Sequence, residues 1–392
     1  MKKVIEGLKA VAETVALCRP KVISAYPITP QTHIVEELAQ IVADGKLKAE
    51  FINVESEFSA ASVVLGASAT GVRVYTATSS QGLLLMLEVL FNIAGMRLPV
   101  VLCCANRAVS APINIWNDWQ DALTVRDAGL IQLYAEDNQE ACDMHIQAYK
   151  IAEDHNVLLP VIVNLDGFVL THSYDPIEFP TQDEVDRFLP QYEPLEHLDV
   201  KNPMSFGLMA GPDRYMETRY ALQESIKGAK SVIKKVAEDF KKAFGRYYGG
   251  LVEEYKTEDA EVVVVSMGSI ISTIKDVVDE LREEGEKIGV LKIRTYRPFP
   301  KEEVMEVLKG KKRVVIIEKC VSIGGTGILT ADIKASLYGM EKPIPISNFI
   351  MGLGGRDIKK EDIRQVIKIS EKGIKENEFY GLDEKIVKEM DV

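Results

Sequence analysis

The chain has 392 residues, 46% of them hydrophobic and 27% charged, and a formal net charge of −12. That length exceeds what one hydrophobic core organises, so two domains are expected; the acidic balance argues against nucleic acid and anionic membrane as partners, since both reward clustered Lys and Arg. No apolar run is long enough to span a bilayer and the N-terminus lacks a leader pattern, so a cytoplasmic location is expected.

Periodicity predicts an amphipathic helix around Val4 to Cys18, and then VISAY and ITPQTHIVEELAQIVADG read as a strand, a Pro-bounded turn and a helix ending at Gly45. FINV, RVYTAT, PVVLCCA, LIQLY and PVIVNL repeat the theme. This alternation predicts an α/β fold with a doubly wound parallel sheet, and the first domain is placed over residues 1–175. From Ser173 to about Asp213 the sequence is Pro-rich and acidic, which predicts an ordered connector without long regular elements, followed by a long helix from about Arg214; together these occupy residues 176–258. EVVVVSMGS, KIGVLKIRTYRPF, KRVVIIEK and PISNFIMGLGG, with a helix at Asp362 to Ser370, predict a second, smaller α/β domain over residues 259–392 that ends in a helical tail of about twenty residues.

Four strand-like segments between Val22 and Arg107 each run into a short polar loop that opens a helix. In a parallel sheet such loops share the carboxyl edge of the strands, where these folds bind ligands. Thr29, in the rigid Tyr26-Pro27-Ile28-Thr29-Pro30 turn, is either a helix N-cap or a positioned hydroxyl. Glu57 opens a helix of small residues; it is either a dipole partner or a carboxyl group able to share a proton with a ring nitrogen, and Glu55 is its rival. Ser79, Ser80 and Gln81 carry more hydroxyls than capping explains, and Arg107 leaves a very apolar strand, where a guanidinium suits a carboxylate. Beyond it, Ile113, Ile115, Trp116 and Trp119 are either a lid or core, and Asp118 and Asp121 are read as surface charge.

Cys18, Cys103, Cys104, Cys142 and Cys320 show no C-x-x-C spacing, so neither a disulfide framework nor a cluster site is indicated. His33, His145, His155, His172 and His197 show no metal-ligand spacing and are read as structural, with no metal assigned to this chain. The glycine runs at 324–327 and 352–355 fit tight turns better than phosphate loops.

YPITP, the Ser-Glu of VESEFSA, TATSSQGL, NRAVSAPINIWNDWQD, NLDGF and GLGGRD, in this order, resemble the alpha subunits of the multi-subunit 2-oxoacid:ferredoxin oxidoreductases, most closely those of the pyruvate type. The resemblance implies a pyrimidine-type thiamine diphosphate domain followed by a transketolase C-terminal-like domain. It implies that Glu57 bonds the aminopyrimidine ring nitrogen and is the catalytic carboxylate, that Thr29 and Arg107 bind the substrate carboxylate, and that Pro27, Ile28, Thr29, Glu57, Ser80 and Gln81 line the cofactor. The thiamine diphosphate is then shared with a beta-type subunit, because no GDG motif occurs here. Mg²⁺ and the iron–sulfur clusters are expected on other subunits, of beta, gamma and delta type, with coenzyme A as co-substrate and ferredoxin as electron acceptor. Phe58 stands where many relatives have histidine, so no polar contact is expected from it. The related 2-oxoglutarate and branched-chain enzymes share YPITP and the Ser-Glu pair, so another 2-oxoacid is the alternative substrate. A non-catalytic nucleotide-binding assembly subunit, using the glycine turns, is the alternative from another class.

Overall fold

The computed structural model describes residues 2–390. The chain opens with strand β1 (Lys2–Glu6) and helix α1 (Gly7–Leu17), so the helix expected from Val4 starts three residues late. Residues 2–6 are instead taken up by antiparallel pairing with residues 174–178. The predicted alternation then follows as β2 (Val22–Ala25), α2 (Thr32–Ala43), β3 (Glu50–Asn53), α3 (Glu57–Ala69), β4 (Val74–Thr78), α4 (Ser80–Gly95), β5 (Val101–Asn106), α5 (Gln120–Thr124), β6 (Ile131–Tyr134), α6 (Asn138–Ala152) and β7 (Val161–Asp166). These strands lie in the order β6-β7-β5-β4-β2-β3, and every pair among them is parallel. The central strands β4, β5 and β7 are buried along their whole length, which is why they read as unbroken apolar runs. Their carboxyl ends share one edge, as the strand-loop-helix pattern requires.

The Pro-rich connector holds more regular structure than its composition predicts. It carries β8 (Tyr174–Glu178) and α7 (Gln182–Phe188). Pro176 is tolerated because β8 belongs to a two-stranded sheet, where it sits opposite Val4. A reciprocal capping box between Thr181 and Glu184 starts α7. The 30-residue helix α8 (Tyr215–Phe244) ends at Gly245 in the left-handed conformation (φ 73°), with Lys241 and Lys242 in its last turn.

The second sheet is built from β9 (Val252–Tyr255), β10 (Val262–Ser266), β11 (Ile288–Ile293), β13 (Arg313–Glu318), β14 (Ile346–Ile350) and β15 (Glu378–Phe379), and among these only β9 runs antiparallel. Helices α9 (Ile270–Glu283), α10 (Lys301–Leu308), α11 (Ile328–Leu337) and α12 (Lys360–Glu371) accompany it. The expected helical tail is instead β15 and the short α13 (Glu384–Glu389); its last two positions lie outside the described residues.

One strand of this second half, β12 (Thr295–Arg297), leaves its own sheet and pairs antiparallel with β6, completing the first sheet as a seventh strand. The residues leading into it carry charge into the interior. Lys292 Nζ donates to Glu136, Glu140 and Glu253 at 2.9, 2.8 and 3.0 Å. Arg294 Nε donates to Glu140 Oε1 at 2.9 Å, and its other nitrogens reach Gln147 and the Gly250 carbonyl. Arg294 and Glu140 are both fully buried. Burial alone would discharge Lys292, but the three carboxylates outweigh it and hold the ammonium charged.

Removing one partner from such a pair leaves a buried charge uncompensated. Glu140→Ala is therefore expected to lower stability by about 3–5 kcal/mol, and Arg294→Leu in the same chain to recover part of the loss. Urea unfolding of the three variants measures both changes.

Candidate functional site

The turn from β4 into α4 and the turn out of β5 are fastened to the same carboxylate. Asp121, at the start of α5, has no solvent exposure. Its Oδ2 accepts the backbone N–H of Ser80 and of Arg107, each at 3.0 Å, while Oδ1 accepts the Asn106 amide at 3.0 Å and the Ala122 N–H at 2.7 Å. Burial pushes its pKa up, and these donors offset part of the rise. The reading of Asp121 as surface charge is corrected by this geometry. Ser80 adopts a left-handed backbone (φ 48°), which is costly for a residue with a Cβ and persists only where its surroundings dictate it. Its hydroxyl is committed to the Ala108 carbonyl at 2.6 Å and to Gln81 Oε1 at 2.5 Å, so Ser80 offers the crevice a backbone shape and not a free hydroxyl.

Arg107 is buried, yet it has no carboxylate partner for its guanidinium. Nη1 donates to the Thr29 carbonyl and Nε to the Asn114 carbonyl, both at 2.9 Å. Both acceptors are neutral, and burial lowers its pKa from the usual value against the partial support of the nearby Asp121 charge. An incoming anion is the natural complement. Thr29 is thereby drawn to Arg107, as expected, with its own side chain exposed. The helix N-cap reading of Thr29 does not hold: α2 begins at Thr32, and Gln31 ties the loop to β4 through the Ala77 carbonyl at 2.7 Å. Pro27 is exposed and Ile28 half-buried on the same turn.

Glu57 is the first residue of α3 and is buried, and its carboxylate has neither a hydrogen bond nor an ion pair among the described residues. It lies against Gly82, where an added Cβ would meet Glu57 Oε1 at 2.6 Å and Thr78 Oγ1 at 2.4 Å. The hydroxyls of Thr76, Thr78 and Ser79, in β4 and the turn after it, are buried without partners among the described residues, and Thr78 Oγ1 lies beside the same Gly82 position as Glu57. Unpaired buried polar groups are costly, so a cluster of them marks a place for an external donor. The aminopyrimidine that the resemblance implies has the matching ring nitrogen and amine, and the residues present fit it. Glu55 is exposed and hydrogen-bonded to Ser59, which lowers its pKa; it does not face this cluster. Gln81 is half-buried at its edge.

Several residues that the sequence reading left to the surface or to the lid belong to a clasp between the two halves. Trp119 is fully buried, not a lid residue, and donates to Asp166 Oδ1 at 2.8 Å. Asp166, at the end of β7, also accepts from Lys319 Nζ at 3.0 Å and from the N–H of Ser269 at 3.2 Å. Ile113 and Trp116 remain exposed. Asp118 is buried and accepts the N–H of Gly354 at 3.2 Å, while Asn117 accepts that of Gly355 at 2.7 Å. The glycine loop at 352–355 thus binds the 112–118 loop with its own N–H groups. The 324–327 run packs on a carboxylate, since a Cβ at Gly327 would strike Glu318. Gly354 and Gly355 spend their N–H groups on the 112–118 loop and Gly327 spends its own on Asn377. Sequence spacing carried no signal for Asp118, Asp121 or Asp166, because none follows a helical or strand period.

Residues 13–238 match the family described as pyruvate flavodoxin/ferredoxin oxidoreductase, thiamine diphosphate-binding, and residues 260–363 match pyruvate:ferredoxin oxidoreductase core domain II. The pyruvate synthase subunit PorA of Methanosarcina barkeri is 52% identical over 98% of this chain and 97% of its own. The ketoisovalerate oxidoreductase subunit VorA of Pyrococcus horikoshii is 43% identical over 97% of this chain and 98% of its own. Among solved structures, a 2-oxoglutarate:ferredoxin oxidoreductase from Magnetococcus marinus is similar over 94% of this chain (TM-score 0.70, 21% identity), which spans 65% of that one. A split-gene transketolase is similar over 94% of this chain and 98% of its own (TM-score 0.55, 14% identity). These two structures bear on the fold, and they agree with the expected pairing of thiamine diphosphate-type and transketolase-like α/β domains.

Burial raises the pKa of Asp118 to about 7. A carboxyl group whose folded pKa is raised stabilises the fold while protonated, so its contribution is present at low pH and is lost as pH rises through 7. Asp118→Asn should flatten the fall in stability between about pH 4 and pH 7, by at most about 4 kcal/mol, measured as the difference in urea midpoint from the unsubstituted chain. Asp121→Ala leaves three backbone N–H groups without their acceptor and takes one acceptor from the Asn106 amide, and is expected to cost at least about 3 kcal/mol, read by the same method.

Proposed function

The chain belongs to the pyruvate flavodoxin/ferredoxin oxidoreductase family, and from that membership we propose that it is the subunit of a thiamine diphosphate-dependent pyruvate:ferredoxin oxidoreductase that supplies the pyrimidine-facing half of the active site. The reaction is the oxidative decarboxylation of pyruvate to acetyl-coenzyme A and CO₂, run reversibly, with electrons passed to ferredoxin. When bound, thiamine diphosphate supplies the carbon nucleophile and the electron sink for cleavage beside the keto group.

The observation that carries this reading is Glu57, a buried carboxylate left without a partner in its own chain. It holds a proton at the pyrimidine ring nitrogen, and Gly82 gives it room to lie flat against the start of α4. Arg107, already aimed by two carbonyls, offers Nη2 to the substrate carboxylate, and Thr29, whose carbonyl accepts from Nη1, offers its exposed side chain from the same turn. Together they orient the keto carbon. Pro27, Ile28 and Gln81, with the fixed backbone of Ser80, complete the cofactor face.

We assign the diphosphate and Mg²⁺ to a beta-type subunit, and the iron–sulfur clusters to beta, gamma or delta type subunits, because the five cysteines here are buried and dispersed. The exposed Ile113 and Trp116 beside the crevice suit covering by the beta-type partner. Among the described residues no helix is long and apolar enough to cross a membrane, and we place the complex in the cytoplasm, without a nucleic-acid partner. The functional units proposed are residues 1–175, 176–258 and 259–392. The boundary at 175 falls inside β8, so the first unit and the connector share that strand.

The reconstituted complex tests the proposal. Glu57→Ala is expected to lower coenzyme A-dependent pyruvate decarboxylation by at least about 100-fold, and wild-type turnover would overturn the role of Glu57. Arg107→Ala should act mainly on KM for pyruvate, raising it about 100-fold, the equivalent of roughly 3 kcal/mol. Comparing kcat/KM across pyruvate, 2-oxobutyrate, 2-oxoisovalerate and 2-oxoglutarate ranks the substrates, and pyruvate is expected first.

A further inference from the structure

Away from Glu57 and Arg107, three residues distant in sequence meet where β1, α2 and the turn after β7 converge. Glu6 ends β1 and is 4% exposed, with no Lys or Arg paired to it. His33, in the first turn of α2, places Nδ1 on Glu6 Oε1. His172 lies in the turn between β7 and β8, its ring centroid 5.2 Å from that of His33. One ligand atom from each of the three lies within 4.8 Å of the other two.

We propose that Glu6, His33 and His172 form a binding site for a divalent first-row transition ion. Two imidazoles and one carboxylate favour Zn²⁺, Fe²⁺ or Co²⁺ over Mg²⁺ and Ca²⁺, which take oxygen ligands. Outer contacts already orient the ligands. Thr171 Oγ1 sits 2.8 Å from His172 Nδ1, leaving Nε2 as the free ring nitrogen, and the same hydroxyl accepts the Phe168 N–H at 2.7 Å. The His172 ring stacks on Phe168, with centroids 4.7 Å apart. The partly exposed His33 opens an entry path from solvent. A metal at this point neutralises a buried carboxylate that only an imidazole now faces, and it pins the start of α2, which follows the Thr29 turn, to the turn after β7.

The test uses the full chain, stripped of metal and titrated with Co²⁺ alone. One equivalent is expected to bind with a visible absorption band. Affinity should fall at least about 100-fold in Glu6→Gln, His33→Ala and His172→Ala, while His155→Ala binds as the unsubstituted chain does. Absence of stoichiometric binding, or unchanged binding in the His33→Ala/His172→Ala chain, would overturn the site. Should those variants fail to fold, X-ray absorption of the Zn²⁺-loaded native chain decides: two imidazole ligands support the proposal, and a shell without them refutes it.

Discussion

Asp121 is an ionisable side chain sealed from solvent, and three of the donors that satisfy its oxygens, from Ser80, Asn106 and Arg107, belong to the edges of one crevice. Burial disfavours its charge, so its position is tolerable only while Ser80, Asn106 and Arg107 keep their donors aimed at it. The dependence runs both ways. Ser80 keeps its left-handed backbone, and with it the entry angle of α4, because the carboxylate holds its N–H. Arg107 leaves β5 in a fixed direction for the same reason, which lets its guanidinium reach the Thr29 and Asn114 carbonyls. The chemistry proposed for Glu57 and Arg107 therefore rests on a residue that touches neither substrate nor cofactor.

The second domain stands behind this arrangement. Asp166 closes β7 and gathers Trp119 from the first half and Lys319 and Ser269 from the second. Burial raises its pKa, but Lys319, Ser269 and Trp119 together outweigh burial and keep the carboxylate ionised. The glycine loop of residues 352–355 then holds the 112–118 loop from above through Asp118 and Asn114. The smaller domain thus braces the loops on which the proposed site residues stand.

The parts of the fold that follow a period were legible in the chain. Strands β4, β5 and β7 are buried on both faces and read as apolar runs, and the loops after them were placed on one edge by the logic of parallel sheets. The position of Glu57 at a helix start and of Arg107 past the most apolar strand followed from that logic. Strand β1 was not legible, because KKVIE flows into a helical pattern and its partner, β8, contains a proline. Asp118 and Trp119 sit in a long loop with no period and Asp121 in the five-residue α5, too short to show one, so nothing local separates a buried carboxylate from a solvated one there. Glu6, His33 and His172 illustrate the same limit at longer range, since tertiary folding alone brings them together.

The loan of β12 to the first sheet has a mechanical corollary. A hinge between the halves would have to peel a strand from its ladder and pull Arg294 away from Glu140 in the same motion. Rotation of one half against the other therefore costs both the β12–β6 ladder and the buried Arg294–Glu140 pair, which couple the two sheets mechanically.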